Sequence, residues 1–131
     1  TLTNKTISAA DNAISDEIGL ACSDETTAIT TGTGKVTFRM PYAMTVTEVR
    51  ASVTTAPVGS TIIIDINEGG TSILSTKLSI DASEKTSTTA ASAAVISDAT
   101  LADDAEITID FDQAGSSTAG AGVKLWIKGI K

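Results

Sequence analysis

The sequence predicts an all-β protein: a single antiparallel β-sandwich, jelly-roll-like, with about seven to nine short strands. The chain has 131 residues, which is the length of one domain. Thr, Ala, Ile and Ser dominate it, whereas the long Leu, Glu, Lys and Arg stretches that favour helices are missing. Apolar and polar residues alternate in several segments, and turn-forming clusters separate these segments.

The N-terminal segment shows little periodicity beyond Ile7 and Ile14. We expect residues 1–16 to form an arm or lead-in, followed by a sandwich domain at residues 17–131. The domain begins with a weak strand at residues 17–22.

Two consecutive strands are predicted next. In residues 35–40, Val, Phe and Met alternate with Lys, Thr and Arg until Pro41 stops the ladder. Residues 44–54 alternate in the same way and form the following strand.

The middle of the chain carries a strand at residues 61–67 with one apolar face and one polar face. Ile63 is the apolar exception on the polar face. Gly69-Gly70 signals a tight turn, so residues 61–76 are expected to form a hairpin, with residues 77–80 continuing or following it. Residues 81–92 predict a connection with one helical turn, and residues 93–96 a weak strand.

The two clearest strands lie near the C-terminus, at residues 107–112 and 123–128. In both, every second residue is a large apolar one. The Gly-rich segment 114–122 between them predicts a loop.

Composition excludes many functions. The chain has no His, which removes the usual general base and the commonest metal ligand. Its single cysteine, Cys22, can form neither an intrachain disulfide nor a Cys-based zinc site. A net charge of −7 disfavours nucleic acid and anionic membranes, and no segment approaches the roughly 18 apolar residues of a membrane span.

Acidic residues come in groups that resemble calcium ligands. The groups are Asp103-Asp104, Asp110 with Asp112, and Asp65 with Asn67 and Glu68. We interpret them as polar strand faces and turns, and we predict no metal site and no cofactor. Paired carboxylates could hydrolyse glycosides, but four aromatic residues cannot line a sugar cleft, so we expect no catalytic residues and no enzyme.

Trp126 is the main candidate for a contact surface. Alternation places it with Lys124 and Lys128 on the polar face of the last strand, where an exposed Trp marks an interface. The alternative is a side chain that lies flat under a neighbouring loop. Tyr42 and Ile63 are expected to join the same outward surface, and a sandwich with such a strip commonly forms a homo-oligomer.

Several segments occur in an order that resembles a known module. They are SDETT at 23–27, VTFRMPY at 36–42, VRASV at 49–53, DINE at 65–68, SILST at 72–76, IDASEKTS at 80–87, LADDAEITID at 101–110, and residues 115–129. Together they resemble the C-terminal β-sandwich of tailed-bacteriophage tail and virion structural proteins, over about residues 20–130. Trp126 stands where that family typically has a smaller residue, and no functional residues carry over.

The resemblance implies a virion structural protein of the tail or of a capsid appendage. We expect it to act by surface contact with other virion proteins or with host-surface polysaccharide, and to be a trimer if it belongs to a fibre or spike. Two alternatives stay open. One is a capsid decoration or fibre-forming protein with no receptor role, and the other is a carbohydrate-binding module of a larger secreted protein.

Overall fold

The computed structural model describes residues 3–8 and 11–131. This part of the chain is all-β with antiparallel pairing, which confirms the predicted fold class. Its eleven strands and one 3₁₀ turn are β1 (Ser15–Ala21), β2 (Gly32–Arg39), β3 (Met44–Ser52), β4 (Ile62–Glu68), β5 (Thr71–Ser72), β6 (Leu74–Thr76), β7 (Leu78–Ile80), η1 (Ser87–Thr89), β8 (Val95–Ile96), β9 (Thr100–Leu101), β10 (Glu106–Gln113) and β11 (Lys124–Ile130).

The long strands form two sheets. The first sheet has the order β1-β11-β3-β9, and the second has the order β2-β10-β4-β5, with β7 also paired to β4. β6 and β8 form a separate short ladder. The first four strands alternate between the sheets, as expected of a β-sandwich. The jelly-roll connectivity stays a prediction.

A continuous hydrophobic core lies between the sheets, and the long strands turn alternate apolar residues towards it. The first sheet contributes Val46, Val49, Ala51, Leu125 and Ile127. The second contributes Ile62, Ile64, Ile66, Ile107, Ile109 and Phe111. Each fully buried Ile or Leu stabilises the fold by about 1.5–3 kcal/mol relative to exposure.

A β-bulge changes the phase of alternation within β3. Glu48 pairs with Lys128 and Val46 pairs with Gly129, so Thr47 has no counterpart on β11. Val46 and Val49 therefore both face the core although they are three residues apart. The bulge divides β3 into two segments that both bury their apolar residues.

The predicted hairpin at residues 61–76 is wrong in its extent. Gly69 and Gly70 do form a tight turn, with φ of 55° and 85°, and β5 pairs back onto β4. However, the paired return strand has only two residues, after which β6 turns away to pair with β8. β7 then returns to β4, where Leu78 pairs with Ile64.

The start of β1 falls within the predicted arm. Ser15 pairs with Ile130, so the last two residues of segment 1–16 belong to the first sheet. Residues 3–8 are exposed and form no strand, and residues 1, 2, 9 and 10 lie outside the described residues. None of the described residues belongs to a helix of the length and apolarity that a membrane span requires.

Candidate functional site

Trp126, Lys124 and Lys128 lie together on the outer face of the first sheet, as alternation predicts. Leu125 and Ile127, between them on β11, are completely buried. All three of the predicted residues are half-buried. The sequence therefore identified this face of β11 correctly.

Tyr42 does not join that face, contrary to the expectation. Its hydroxyl donates a hydrogen bond to Asp16, which lies on the core-facing side of β1 with Ile18. The Lys131 ammonium stands 4.4 Å from the centre of the Tyr42 ring and 2.8 Å from Asp16. Tyr42 thus packs against the core and anchors the C-terminal residue.

Ile63 does not join the face either. It lies on β4 in the second sheet, and its side chain points away from the core. It is therefore on the opposite side of the sandwich from Trp126. Alternation gives the face of each residue within its own strand, but it does not relate the faces of two strands that do not pair.

The contact between Asp16, Lys131 and Tyr42 predicts a pH dependence of stability. Hydrogen bonds from Lys131 and then from Tyr42 lower the pKa of Asp16 from its usual 3.8 to about 2. A carboxyl with a lowered pKa in the folded state stabilises the fold while ionised, so its contribution is complete above 3.8 and is lost as the pH falls through 2.

We expect acidification from about pH 5 to about pH 2 to lower the urea midpoint more in the native chain than in Asp16→Asn. The two proteins differ only at this carboxyl, so the difference between their profiles isolates Asp16. Identical pH profiles for the two proteins would contradict the proposed role of this contact.

Trp126 lies over the neighbouring strand because that strand has a glycine there. Gly19 of β1 pairs with Trp126, and a Cβ atom on Gly19 would lie 3.2 Å from the indole Nε1 and 3.5 Å from Cδ1. On the other side, Trp126 pairs with Arg50 of β3. The indole thus extends towards β1 and leaves space on its β3 side.

That space is a groove of about 360 Å³, here called the Trp126 groove. It is lined by Glu17, Arg50, Ala51, Ser52, Thr86, Thr88, Trp126 and Lys128. Its volume falls within the roughly 300–1,000 Å³ typical of small-molecule sites. The groove is therefore large enough to hold part of a ligand against the indole.

The segment that carries η1 forms one wall of the Trp126 groove. Ser52 forms a bridge with Thr86, and the backbone N–H of Ala51 donates to Ser87 Oγ at 2.9 Å. Thr86 caps the 3₁₀ turn by accepting a hydrogen bond from the Thr88 N–H at 3.2 Å. These contacts hold the hydroxyls of Thr86 and Thr88 beside β3.

Charges in the groove are paired. Glu48 accepts from Arg50 Nε at 2.5 Å and lies 3.4 Å from Lys128 Nζ. The hydrogen bond from Arg50 and the one from Lys128 lower the pKa of Glu48. Glu48 therefore holds the two cations in place along the β3 and β11 side of the groove.

Lys124 belongs to a different cluster. Its ammonium ion-pairs with Glu25, and it donates hydrogen bonds to Thr54 Oγ1 at 3.2 Å and to the Gly122 carbonyl at 3.3 Å. The hydrogen bonds from Lys124 and Thr54 lower the pKa of Glu25. Lys124 thus shares the face of Trp126 but does not line its groove.

A second groove, of about 590 Å³, adjoins the first and shares Arg50 and Thr88 with it. We call it the Val49 groove. Beyond the shared pair, its lining residues are Thr47, Glu48, Val49, Leu78, Ser87, Ala93, Ala94, Val95 and Ile96. Since the Ala51 N–H points to Ser87, the antiparallel pattern also points the backbone N–H and C=O of Val49 away from β11 and into this groove.

Two of the three acidic groups named in the sequence contribute carboxylates to ordinary contacts. Asp65 is only 5% exposed, and its carboxylate ion-pairs with Lys77 at 3.1 Å. Asp112 ion-pairs with the same lysine. Asp110 accepts from the Gly34 N–H at 2.7 Å. Within residues 3–8 and 11–131 no cluster of three acidic or Cys side chains could hold a metal ion.

Sequence analysis missed most of the groove. Arg50 and Gly19 are the cross-strand neighbours of Trp126, but their strands are far from β11 along the chain. Thr86 and Thr88 fall in a segment predicted only as a connection. Searches against protein-family models, curated proteins and solved structures gave no match for this chain.

Proposed function

We propose that this chain is a structural domain of a bacteriophage virion, in the tail or in a capsid appendage, and that it acts by surface contact. The ordered segments that resemble tailed-bacteriophage virion proteins support this, and so does the all-β architecture. A virion part of this kind presents surfaces from a rigid sandwich. In that setting we expect the domain to assemble as a homo-oligomer, and as a trimer if it forms part of a fibre.

The contact face is the part of the outer face of the first sheet that carries the Trp126 groove, and its partner is host-surface polysaccharide. One observation carries this assignment. The Trp126 groove lies on the solvent-facing side of the first sheet, and the opposite side of that sheet packs against the hydrophobic core. A large half-buried aromatic residue in a groove is the kind of group that dominates binding energy.

Trp126→Ala is expected to weaken adhesion of the purified protein to host cells by about tenfold or more, since loss of a central aromatic contact costs about 2 kcal/mol. The measurement is a saturation curve of labelled protein on cells, with unlabelled protein as competitor. Lys124→Ala is the matched control, because it lies on the same face of the same strand but outside the groove. Equal adhesion of both variants and the native protein would contradict the assignment.

The decoration or fibre-forming alternative rests on a different observation. Ile7 is 64% exposed within segment 3–8, so this arm offers an apolar side chain for attachment to a neighbour. Removing residues 1–13 leaves β1 intact and is then expected to abolish incorporation into particles, as measured by immunoblot of purified virions. Normal incorporation of the truncated protein would rule out the arm as the attachment.

The carbohydrate-binding-module alternative uses the same groove but a different location. Immunogold labelling of particles separates the two: a virion protein labels tails or capsids, whereas a module of a secreted protein labels neither. If adhesion to cells depends on Trp126 but immunogold labels no particles, the carbohydrate-binding module is favoured.

A further inference from the structure

The Trp126 groove carries no excess charge. Arg50 and Lys128 supply two positive charges, and Glu48 and Glu17 supply two negative ones beside them. Because Glu48 contacts both cations, its negative charge offsets their attraction for an anion. A phosphate, sulfate or carboxylate ligand would have to displace these ion pairs, so the local charge does not favour an acidic ligand.

The remaining polar groups are suited to hydroxyl recognition. Ser52, Thr86 and Thr88 carry hydroxyls. Those of Thr86 and Thr88 lie 3.0 Å apart and hydrogen-bond to each other, which leaves one of their two hydroxyl hydrogens and several lone pairs for a ligand. Sugar hydroxyls both donate and accept hydrogen bonds. Arg50 and Glu48 add a charged donor and a charged acceptor side by side, and hydrogen bonds to charged groups are stronger than those between neutral groups. The C–H face of a sugar ring packs against an indole, which has the required apolar surface.

The geometry points to a neutral saccharide as the ligand of the Trp126 groove, bound as a chain of several sugars that continues into the Val49 groove. This rests on the proposed function and names the chemistry of its partner. Single aromatic residues do not form the cage that a quaternary ammonium ligand needs, and a net charge of −7 opposes nucleic acid.

The Trp126 groove and the Val49 groove adjoin each other, and for this reason we infer a ligand long enough to occupy both. Arg50 and Thr88 line both, so a chain that leaves the indole passes directly between them. The second groove offers the backbone N–H and C=O of Val49 for hydrogen bonds. It also offers Val95, which is 50% exposed, as an apolar surface for a second ring.

The first experiment measures affinity by isothermal titration of the full chain with two sets of oligosaccharides. One set is neutral, with oligomers of glucose, mannose and galactose of increasing length, and the other is acidic, with oligomers of uronic acids. We expect binding only in the neutral set, with affinity rising by about tenfold or more from single sugars to the length that fills both grooves. Trp126→Ala is expected to remove binding at every length.

The second experiment separates the two grooves. Ala93 is exposed and lines only the Val49 groove, so Ala93→Arg fills that groove and leaves Trp126 untouched. This variant is expected to bind long oligomers no better than short ones, while its affinity for short ones is unchanged. Ala28→Arg is the matched control, because Ala28 is exposed and lines neither groove.

Each result has one meaning. Affinity that does not depend on length, or Ala93→Arg without effect on long oligomers, would overturn the extended site. Preference for the acidic set would overturn the neutral ligand. If Trp126→Ala abolishes adhesion to cells while no saccharide of either set binds, the saccharide is wrong and the proposed contact face stands. Circular dichroism of each variant confirms that the fold is retained.

Discussion

Replacing Ile64 by alanine is expected to lower the free energy of unfolding by about 2–5 kcal/mol. The Ile64 side chain is completely buried in the middle of β4, and its cross-strand partner on β10 is Phe111, which is also buried. The substitution removes three methyl or methylene groups from the hydrophobic core and leaves a cavity between the sheets. Urea unfolding monitored by circular dichroism measures the loss.

Ile63→Ala is the matched control for this prediction. The two residues are adjacent on β4 and chemically identical, but Ile63 is half-buried on the outer side. Its truncation is expected to cost about 1 kcal/mol or less, since it loses only part of the buried area. Equal losses in the two variants would mean that the core does not lie on the side of β4 that the structure gives it.

Gly129→Ala is expected to lower the free energy of unfolding by about 1–3 kcal/mol, although it removes no side-chain atoms. A Cβ atom there would lie 2.4 Å from the Thr45 carbonyl oxygen and 2.7 Å from Met44 Cγ. The bulge at Thr47 brings β3 close to this point, and a backbone oxygen cannot move without shifting the strand. Thermal unfolding of the variant measures the effect.

Gly19→Ala provides the comparison, because it is the same change in a neighbouring strand. Its new Cβ would meet only Trp126, whose side chain can turn, at 3.2 Å. Its effect on stability is expected to stay within about 0.5 kcal/mol. If Gly19→Ala proves as damaging as Gly129→Ala, steric contact with the bulged strand is not the cause.

The fold was predictable where alternation is strict. Residues 107–112 and 123–128 have an apolar residue at every second position, and both become long strands with that face buried. The bulge at Thr47 was not predictable, because it depends on which residues of β11 lie opposite. The departure of β6 from the second sheet was not predicted for a similar reason. β6 pairs with β8, whose residues lie about twenty positions further along the chain.

The candidate site was predictable only as far as one strand allows. Alternation placed Trp126 and Lys128 on one outward face, and the structure confirms that placement. Tyr42 and Ile63 were grouped with them only because they are apolar and outward in their own segments. The pairing of β11 with β1 and β3 creates the groove, and it brings Gly19 and Arg50 of the N-terminal half of the sequence to Trp126 near its other end.

The pairing of β1 with β11 also has a consequence for how the chain folds. Ser15 pairs with Ile130, and β11 lies between β1 and β3, so β1 cannot join the first sheet until β11 is available. Closing such long loops before their contacts form costs entropy, and proteins dominated by distant pairings fold in about milliseconds to seconds. A nascent chain on the ribosome would therefore hold β1 unpaired, and β3 paired only with the two residues of β9, until β11 is synthesised. The sandwich would close only after β11 emerges.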